Sequence, residues 1–233
     1  MLDISLLMAM HMLIGSVVVF SGAIALLLSK GSSLHKLAGR FFVSSIILMG
    51  TVIVAEAWYS PGSISPLGIL FVFFMVYLVV TAWSTIHRSE ATVGTIDILA
   101  PVVALCISIA GLIMRGNVVN IQSQAESLPP NDAYFFFSAL AFMSMILDVN
   151  NLKKGGVQGK HRIIRHIWRM SCCLFFAISS LFTGPGSIIF PESARGNYLL
   201  SIPQLLVVIF AIYWISRLLF LKNYRKNITI IHK

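Results

Sequence analysis

The sequence predicts an all-α protein, a polytopic transmembrane helical bundle of seven spans that forms a single domain over residues 1–233. Three observations predict this fold. The chain is strongly apolar, it contains seven apolar segments of helical length, and its cationic residues lie on alternate connections between those segments. Of the 17 Lys and Arg, only Arg115 and Arg195 lie on the other connections. The basic segments are 30–40, 88, 153–169 and 217–233.

Composition makes lipid the expected solvent for most of the chain. Charged residues make up 11% of the sequence, whereas a soluble domain carries about a quarter. The hydrophobic fraction is 58%, and the mean hydropathy is +0.89. The pI of 9.8 would suggest nucleic acid in a soluble protein. Here the positive charge flanks the spans, so anionic lipid headgroups are the expected partner and nucleic acid is not.

Each apolar segment approaches the roughly 20 residues that a helix needs to cross a bilayer. The first segment is not a secretory signal, because it carries Asp3, lacks a basic start and is followed by Lys30. The second ends at Trp58 and Tyr59, which are typical of the membrane interface. The fifth and sixth segments are the shortest. The predicted spans, in order, are 4–28, 38–58, 67–86, 96–114, 133–148, 167–182 and 199–221.

The distribution of cations also predicts the orientation, because Lys and Arg concentrate in cytoplasmic connections. It places the N-terminus outside and the C-terminus in the cytoplasm of a bacterial inner membrane, which requires an odd number of spans. The outer connections are then 59–66, 115–132 and 183–198, and their Pro and Gly residues suit turns. Residues 222–233 are predicted to form a short basic cytoplasmic tail.

An outer-layer site is predicted from two ionisable residues near the outer ends of the first two spans. His11 lies on the first span and Glu56 on the second. An antiparallel hairpin brings both residues to the same depth. An ionisable residue inside a membrane is a functional-site hypothesis, while a structural His–Glu hydrogen bond between the two helices is the alternative.

The inner layer carries more polar residues, which we interpret as a ligand-binding pocket. Arg162, Arg165, His166 and Arg169 follow the i, i+3, i+4, i+7 spacing and form one cationic stripe that leads into the sixth helix. Asp97 opens the fourth span, where it also suits N-terminal capping. The predicted pocket consists of His35, Arg40, His87, Asp148, Arg162, His166 and Arg169.

Two interpretations of the cationic stripe remain open at this point. A cationic stripe at a cytoplasmic helix start commonly contacts anionic headgroups. However, His166 and Arg169 extend toward the hydrocarbon, and a helix N-terminus is an unfavourable place for cations. Asp148 would relieve the charge, since a short connection places the fifth and sixth helices side by side. A small anionic ligand, such as a phosphate, a carboxylate or a porphyrin propionate, would also relieve it.

The cysteines indicate neither a disulfide framework nor a zinc site. Cys106, Cys172 and Cys173 all fall inside apolar segments, and the sequence has no C-x-x-C spacing. We interpret them as small buried apolar residues.

Three motifs carry a resemblance to a known family. They read H-K-L-A-G-R at 35–40, Y-L-V-V-T-A-W at 77–83, and R-H-I-W-R-M at 165–170 followed by L-F-F-A-I-S-S-L-F-T-G. In order and spacing the chain resembles an uncharacterised bacterial family of multi-pass membrane proteins with a domain of unknown function. The resemblance implies a multi-pass helical fold and its topology, and it implies no particular activity.

The predicted function is transport or binding of a small molecule or ion at the inner pocket. A haem-b redox protein is the first alternative, with His35, His87 and His166 as candidate metal ligands and arginines near the propionates. An accessory subunit of a membrane complex is the second. An enzyme is not favoured and no catalytic residue is predicted, because H-E-x-x-H, G-x-S-x-G and clustered carboxylates do not occur.

Overall fold

A computed structural model describes residues 6–121, 131–184, 187 and 189–220, which are helical apart from short connections. No strand occurs in these residues. Two short 3-10 helices, Glu192–Ala194 and Tyr198–Ser201, precede the last α-helix. The α-helices are α1 (Leu6–Leu27), α2 (Ser33–Tyr59), α3 (Pro66–His87), α4 (Thr95–Ile121), α5 (Asn131–Lys153), α6 (Gly159–Phe182) and α7 (Ile202–Phe220).

Six of the described helices, α1 to α5 and α7, are long and apolar enough to cross a membrane. The described part of the chain therefore has the make-up of a multi-pass membrane protein. The exception is α6, which has 24 residues but carries Lys160, Arg162, Arg165 and Arg169 in its first half. Its composition differs because α6 packs in the middle of the bundle and turns two of these arginines away from the lipid.

The bundle is organised around α3 and α6. Helix α3 contacts α2, α4, α5 and α6, and α6 contacts α1, α3 and α7. Away from the charged residues, α3, α5 and α6 are joined by aromatic side chains. The Phe71 ring meets those of Phe137 and Phe176 edge to face, at centroid distances of 5.6 and 5.9 Å. Phe74, which is fully buried, packs against the same two rings.

One end of the bundle, which we call the basic end, is where α1, α3, α5 and α7 finish and α2, α4 and α6 begin. Polar contacts tie these termini together. His35 Nδ1 lies 2.9 Å from the Ala25 carbonyl oxygen, which joins α2 to α1. Lys30 Nζ lies 4.9 Å from the ring centre of Trp214 on α7. Ion pairs of Arg165 with Asp97 and Asp148 connect the start of α6 with α4 and α5.

Local sequence determines where three of these helices begin. The Ser32 hydroxyl accepts a hydrogen bond from the His35 backbone N–H at 3.1 Å, and Ser65 accepts one from the Gly68 N–H in the same way. These are N-terminal caps that satisfy otherwise unpaired amide groups. Asp97 caps α4 from inside the helix, because its Oδ2 reaches back and accepts a hydrogen bond from the Gly94 N–H, just before the first helical residue, at 3.2 Å. The capping function predicted for Asp97 is therefore confirmed.

Two connections dock on each other at the basic end, and we call 88–94 and 154–158 the paired loops. The Ala91 N–H donates to the Val157 carbonyl oxygen at 3.2 Å. The Glu90 carboxylate accepts a hydrogen bond from the Gly159 N–H just beyond the second loop. Gly156 has a positive φ of 105° and lies against the Thr92 backbone, where a Cβ would come within 2.5 Å of the Thr92 oxygen. This close approach requires glycine.

Five of the helices, α2 to α6, extend further than the apolar segments predicted. Helix α6 begins at Gly159 rather than at 167, and α5 continues to Lys153 rather than stopping at 148. Hydropathy identifies only the part of a helix that suits lipid, whereas the backbone hydrogen bonds continue into the polar turns. The predicted tail 222–233, and residues 122–130 of the predicted connection 115–132, lie outside the described residues.

Replacing Gly156 with Ala should destabilise the protein by more than replacing Gly155 with Ala. Both glycines have positive φ, but nothing lies within 4 Å of a Cβ built on Gly155. Gly155→Ala should therefore cost only about 1–2 kcal/mol of backbone strain, while Gly156→Ala must also separate the paired loops. The free energy of unfolding of both variants in detergent micelles tests this, and equal losses would contradict the close approach.

Candidate functional site

The Asp148 carboxylate lies at the centre of the polar contacts at the basic end. Its side chain is 1% exposed. It accepts hydrogen bonds from Arg169 Nη2 at 2.5 Å, from Arg165 Nη2 at 2.9 Å and from the Tyr77 hydroxyl. The predicted pairing of Asp148 with the cationic stripe is thus confirmed for Arg165 and Arg169. Charge-assisted hydrogen bonds of this kind are among the strongest in proteins, so they join α3, α5 and α6 at this point.

Arg169 is the most deeply buried charge of the described chain, with no exposed side-chain surface. The faces of Tyr77 and Trp168 lie 5.2 and 5.1 Å from its guanidinium carbon, close enough for cation–π attraction. Its Nη2 is bonded to Asp148 and Tyr77, but Nε and Nη1 have no hydrogen-bond partner within the described residues. Headgroup contact, the other interpretation of the stripe, is therefore wrong for Arg169.

Arg165 connects two carboxylates. Its Nη2 reaches Asp148, while its Nη1 lies 3.1 Å from Asp97 Oδ1 and 2.7 Å from the Thr85 hydroxyl. Asp97 Oδ2 also accepts a hydrogen bond from Arg88 Nη1. We call Arg88, Asp97, Asp148, Arg165 and Arg169 the Arg–Asp cluster. Its three guanidinium groups face two carboxylates, which leaves one excess positive charge.

Arg162 binds the end of α3 instead of joining the Arg–Asp cluster. Its Nε donates to the Thr85 carbonyl oxygen at 2.8 Å, and its Nη2 donates to the carbonyl oxygens of Ile86 and Arg88. These carbonyls are unpaired at a helix C-terminus, where the helix dipole favours a cation. Glu90 lies 3.6 Å from Arg162 Nη1 and balances its charge. Arg162 therefore fixes the start of the first paired loop.

A small polar cavity lies between the Arg–Asp cluster and the paired loops. Its volume is about 10 Å³, which is room for about one water molecule. It is lined on the cluster side by Thr85, Arg88, Asp97 and Arg165, and on the loop side by residues that include Thr92 and Gly156. The paired loops thus close over the side of the cluster that faces away from the membrane interior.

The three imidazoles of the predicted pocket lie at the basic end but do not join the Arg–Asp cluster. His166 Nδ1 is 3.3 Å from the Ala82 carbonyl oxygen, and electrostatic interaction links His166 to His35, His87 and Lys30. His87 stacks on Trp83 at a centroid distance of 4.0 Å. The predicted pocket therefore separates into the Arg–Asp cluster and a neighbouring group of imidazoles.

Two further observations concern cations and metals at this end. Arg40, also assigned to the pocket, is exposed on α2 and has no ion pair with the described residues. Burial lowers the pKa of Lys30, in the connection between α1 and α2, to about 8.

In the described part of the chain no group of three or more His, Cys, Asp or Glu side chains is arranged to hold a metal ion. No contact of these imidazoles favours haem.

The two predicted outer-layer residues, His11 and Glu56, lie in the same region of the bundle but are not in direct contact. His11 is exposed on α1 and Glu56 is half-buried on α2. They are near enough for electrostatic interaction, but no hydrogen bond or ion pair between them occurs among the contacts of the described residues. A role for this pair stays a prediction.

Four residues of the site lie outside the predicted pocket: Tyr77, Arg88, Asp97 and Arg165. Arg165 belongs to the same stripe as Arg169, one turn earlier. A second signal lies on α3, where Tyr77, Thr81 and Thr85 recur every four residues and are all buried. A row of buried polar side chains on an otherwise apolar helix indicates a polar partner opposite it. That partner is the stripe of α6.

Comparison of the chain with models of protein families, with curated proteins and with solved structures finds no match. The resemblance to a bacterial membrane-protein family therefore stays a prediction.

Replacing Asp148 with Asn should destabilise the protein strongly. The change leaves Arg169 and one side of Arg165 without a counter-charge while they stay buried, and breaking such a pair costs about 3–5 kcal/mol. Asp132→Asn is the matched control, because Asp132 lies on the exposed first turn of the same helix. The difference in stability is measured by unfolding the purified variants in SDS. It is also measured by heating them in detergent and quantifying the fraction that stays monodisperse. Equal stability of the two variants would contradict the importance of the buried pair.

Proposed function

We propose that the protein crosses a bacterial inner membrane seven times, with its N-terminus outside and its C-terminus in the cytoplasm. Two observations support this arrangement. All seven described helices have one terminus at the basic end, as alternating passes require. That end also carries most of the cations, which favours a cytoplasmic location. In this arrangement α6 is a span whose Arg165 and Arg169 are paired with carboxylates inside the bundle.

Labelling of introduced cysteines tests this topology. Two variants are made in a background in which the exposed Cys106 is replaced by Ala. The first carries Ser63→Cys, in the connection between α2 and α3, and the second carries Ser89→Cys, in the first paired loop. A membrane-impermeant maleimide added to intact cells should label the first variant, and should label the second only after the membrane is permeabilised. Labelling of both positions from the same side would contradict the proposed arrangement.

We propose further that the protein binds a small anion at the Arg–Asp cluster and moves it across the membrane. The observation that carries this proposal is Arg169, whose fully buried guanidinium group has two donor nitrogens, Nε and Nη1, without a partner. An unsatisfied buried donor costs roughly 1–3 kcal/mol, and more when it is charged. A donor set of this kind suits an anion and cannot bind a cation.

The charge of the cluster supports the same conclusion. Three guanidinium groups and two carboxylates leave one positive charge without a counter-ion, at a depth where an unpaired charge is expensive. A monovalent anion would balance it. The two carboxylates act as internal competitors, since an arriving anion can take the place of Asp97 or Asp148 on Arg165. Binding and release would then couple to rearrangement of the ion pairs.

The paired loops supply the barrier that a transporter needs. In the described conformation they close over the cluster, and the cavity beneath them admits about one water molecule. We propose that this is the state closed to the cytoplasm. Opening requires loss of the Ala91–Val157 and Glu90–Gly159 hydrogen bonds and of the Glu90–Arg162 ion pair. Exposed contacts of this kind open with low free energy compared with the helical core.

Anion-dependent stability and flux test the proposal. Purified protein is heated in sodium chloride, phosphate or acetate, with sodium gluconate at equal ionic strength as the bulky comparator. At least one small anion should raise the melting temperature, because a ligand that binds only the folded state stabilises it. The same anion should enter proteoliposomes faster than it enters empty vesicles.

Arg169→Lys and Arg217→Lys separate the site from general charge effects. The first change keeps the charge but removes the planar donor fork, so it should abolish both the stabilisation and the flux. The second alters an exposed arginine of α7 outside the cluster and should leave both unchanged. Wild-type protein that responds to no small anion in either assay would overturn the proposed function.

A further inference from the structure

Four aromatic rings lie between the Arg–Asp cluster and the end of the bundle opposite the basic end. We call Phe71, Phe74, Phe137 and Phe176 the phenylalanine layer. The Phe176 ring contacts the other three at centroid distances of 5.2 to 6.4 Å. Three of the rings are buried, and Phe71 is partly buried. The layer comes from α3, α5 and α6, the same helices that meet at Asp148.

The layer lies directly beyond the cluster on the faces that carry the buried charges. On α6, Arg169, Cys173 and Phe176 follow the i, i+4, i+7 spacing of a single helical face, and Cys173 is fully buried. The seven positions from Arg169 to Phe176 correspond to roughly 10 Å along a helix. On α5, Phe137 precedes Asp148 by 11 positions, which is about three helical turns and so the same face.

Buried polar groups occur on the far side of the layer as well. Tyr134, one turn before Phe137, is fully buried, and its hydroxyl has no hydrogen-bond acceptor in the described residues. The buried hydroxyl of Ser179, three positions after Phe176, has no partner there either. Buried polar groups are normally hydrogen-bonded to protein or to water, so water is the expected partner of both. The layer therefore separates two polar regions and has no polar atom in its own side chains.

We propose that the phenylalanine layer is the outer barrier of the anion pathway, an inference that rests on the proposed function. A constriction lined only by apolar groups excludes water, and an anion that enters it loses its hydration without gaining a partner. The paired loops close the other side of the cluster. The described conformation is then an occluded state, with the cluster closed on both sides, and release toward the outer end requires the rings to separate.

Access of an anionic thiol reagent to Cys173 tests the barrier without depending on any transported ion. Cys173 lies on the cluster side of the layer, and a thiol buried in apolar surroundings is inert. In spheroplasts that express a Cys106→Ala, Cys172→Ala variant, membrane-impermeant sulfonatoethyl methanethiosulfonate should leave Cys173 unmodified. Adding Phe176→Ala should raise the rate of modification at least about tenfold, because this change removes the ring that contacts all the others.

Phe73→Ala is the matched control, because Phe73 precedes Phe74 on α3 but is 52% exposed. It should leave Cys173 unmodified. Modification with the layer intact, or equal rates in the Phe73→Ala and Phe176→Ala variants, would overturn the proposal. Phe71→Ala provides the same test if Phe176→Ala does not fold. Wild-type protein that moves no small anion but shows the expected labelling would overturn the proposed function and leave the water barrier in place, so the two failures are distinguishable.

Discussion

The structure depends on how the Arg169 guanidinium group is accommodated inside a membrane bundle. A charge at such a depth is tolerated only with a partner at short range. Asp148 provides the charge, the Tyr77 hydroxyl bonds to both side chains, and aromatic faces cover part of the remaining surface. Because these groups come from α3, α5 and α6, pairing one charge fixes the relative depth of three helices.

Arg165 extends this constraint to a fourth helix. Since it binds Asp148 and Asp97 at once, α4 is held at the same level as α5 and α6. The two carboxylates share one guanidinium group, so a change at either one redistributes the hydrogen bonds of the other. Networks of this kind respond as a unit. Asp97 and Arg88 line the cavity together with residues of the paired loops, so in the proposed function a ligand that competes with one carboxylate would also affect these loops.

The sequence predicted more of the fold than of the site, for physical reasons. Hydropathy and cation placement report how each segment interacts with lipid, and this was enough to locate all seven helices. The same signal placed the start of α6 eight residues late, because hydropathy cannot distinguish an arginine that faces water from one that faces a carboxylate. The pairing of Asp148 with the stripe followed from the short connection between α5 and α6.

The remaining members of the site depend on contacts between helices that are distant in sequence. Asp97 was recognised as a cap, which it is, but its contact with Arg165 joins residues 68 positions apart. Sequence pattern alone carries no information about such a pair. Arg40 shows the opposite error: its position at the basic end was predicted, but α2 turns it outward, away from the cluster. Two residues can lie at the same depth in the membrane and still be on helix faces that point in different directions.

Three of the helices that the Arg–Asp cluster joins also pack through apolar side chains. The same three helices, α3, α5 and α6, are joined nearby by Phe71, Phe74, Phe137 and Phe176, with no charge among them. Replacing a buried ion pair by well-packed apolar residues is often neutral or stabilising, so a structural role alone would be served more simply by more phenylalanine. The cluster nevertheless keeps an excess cation and unpaired donors beneath the paired loops, and these two features are the basis of the proposed anion site.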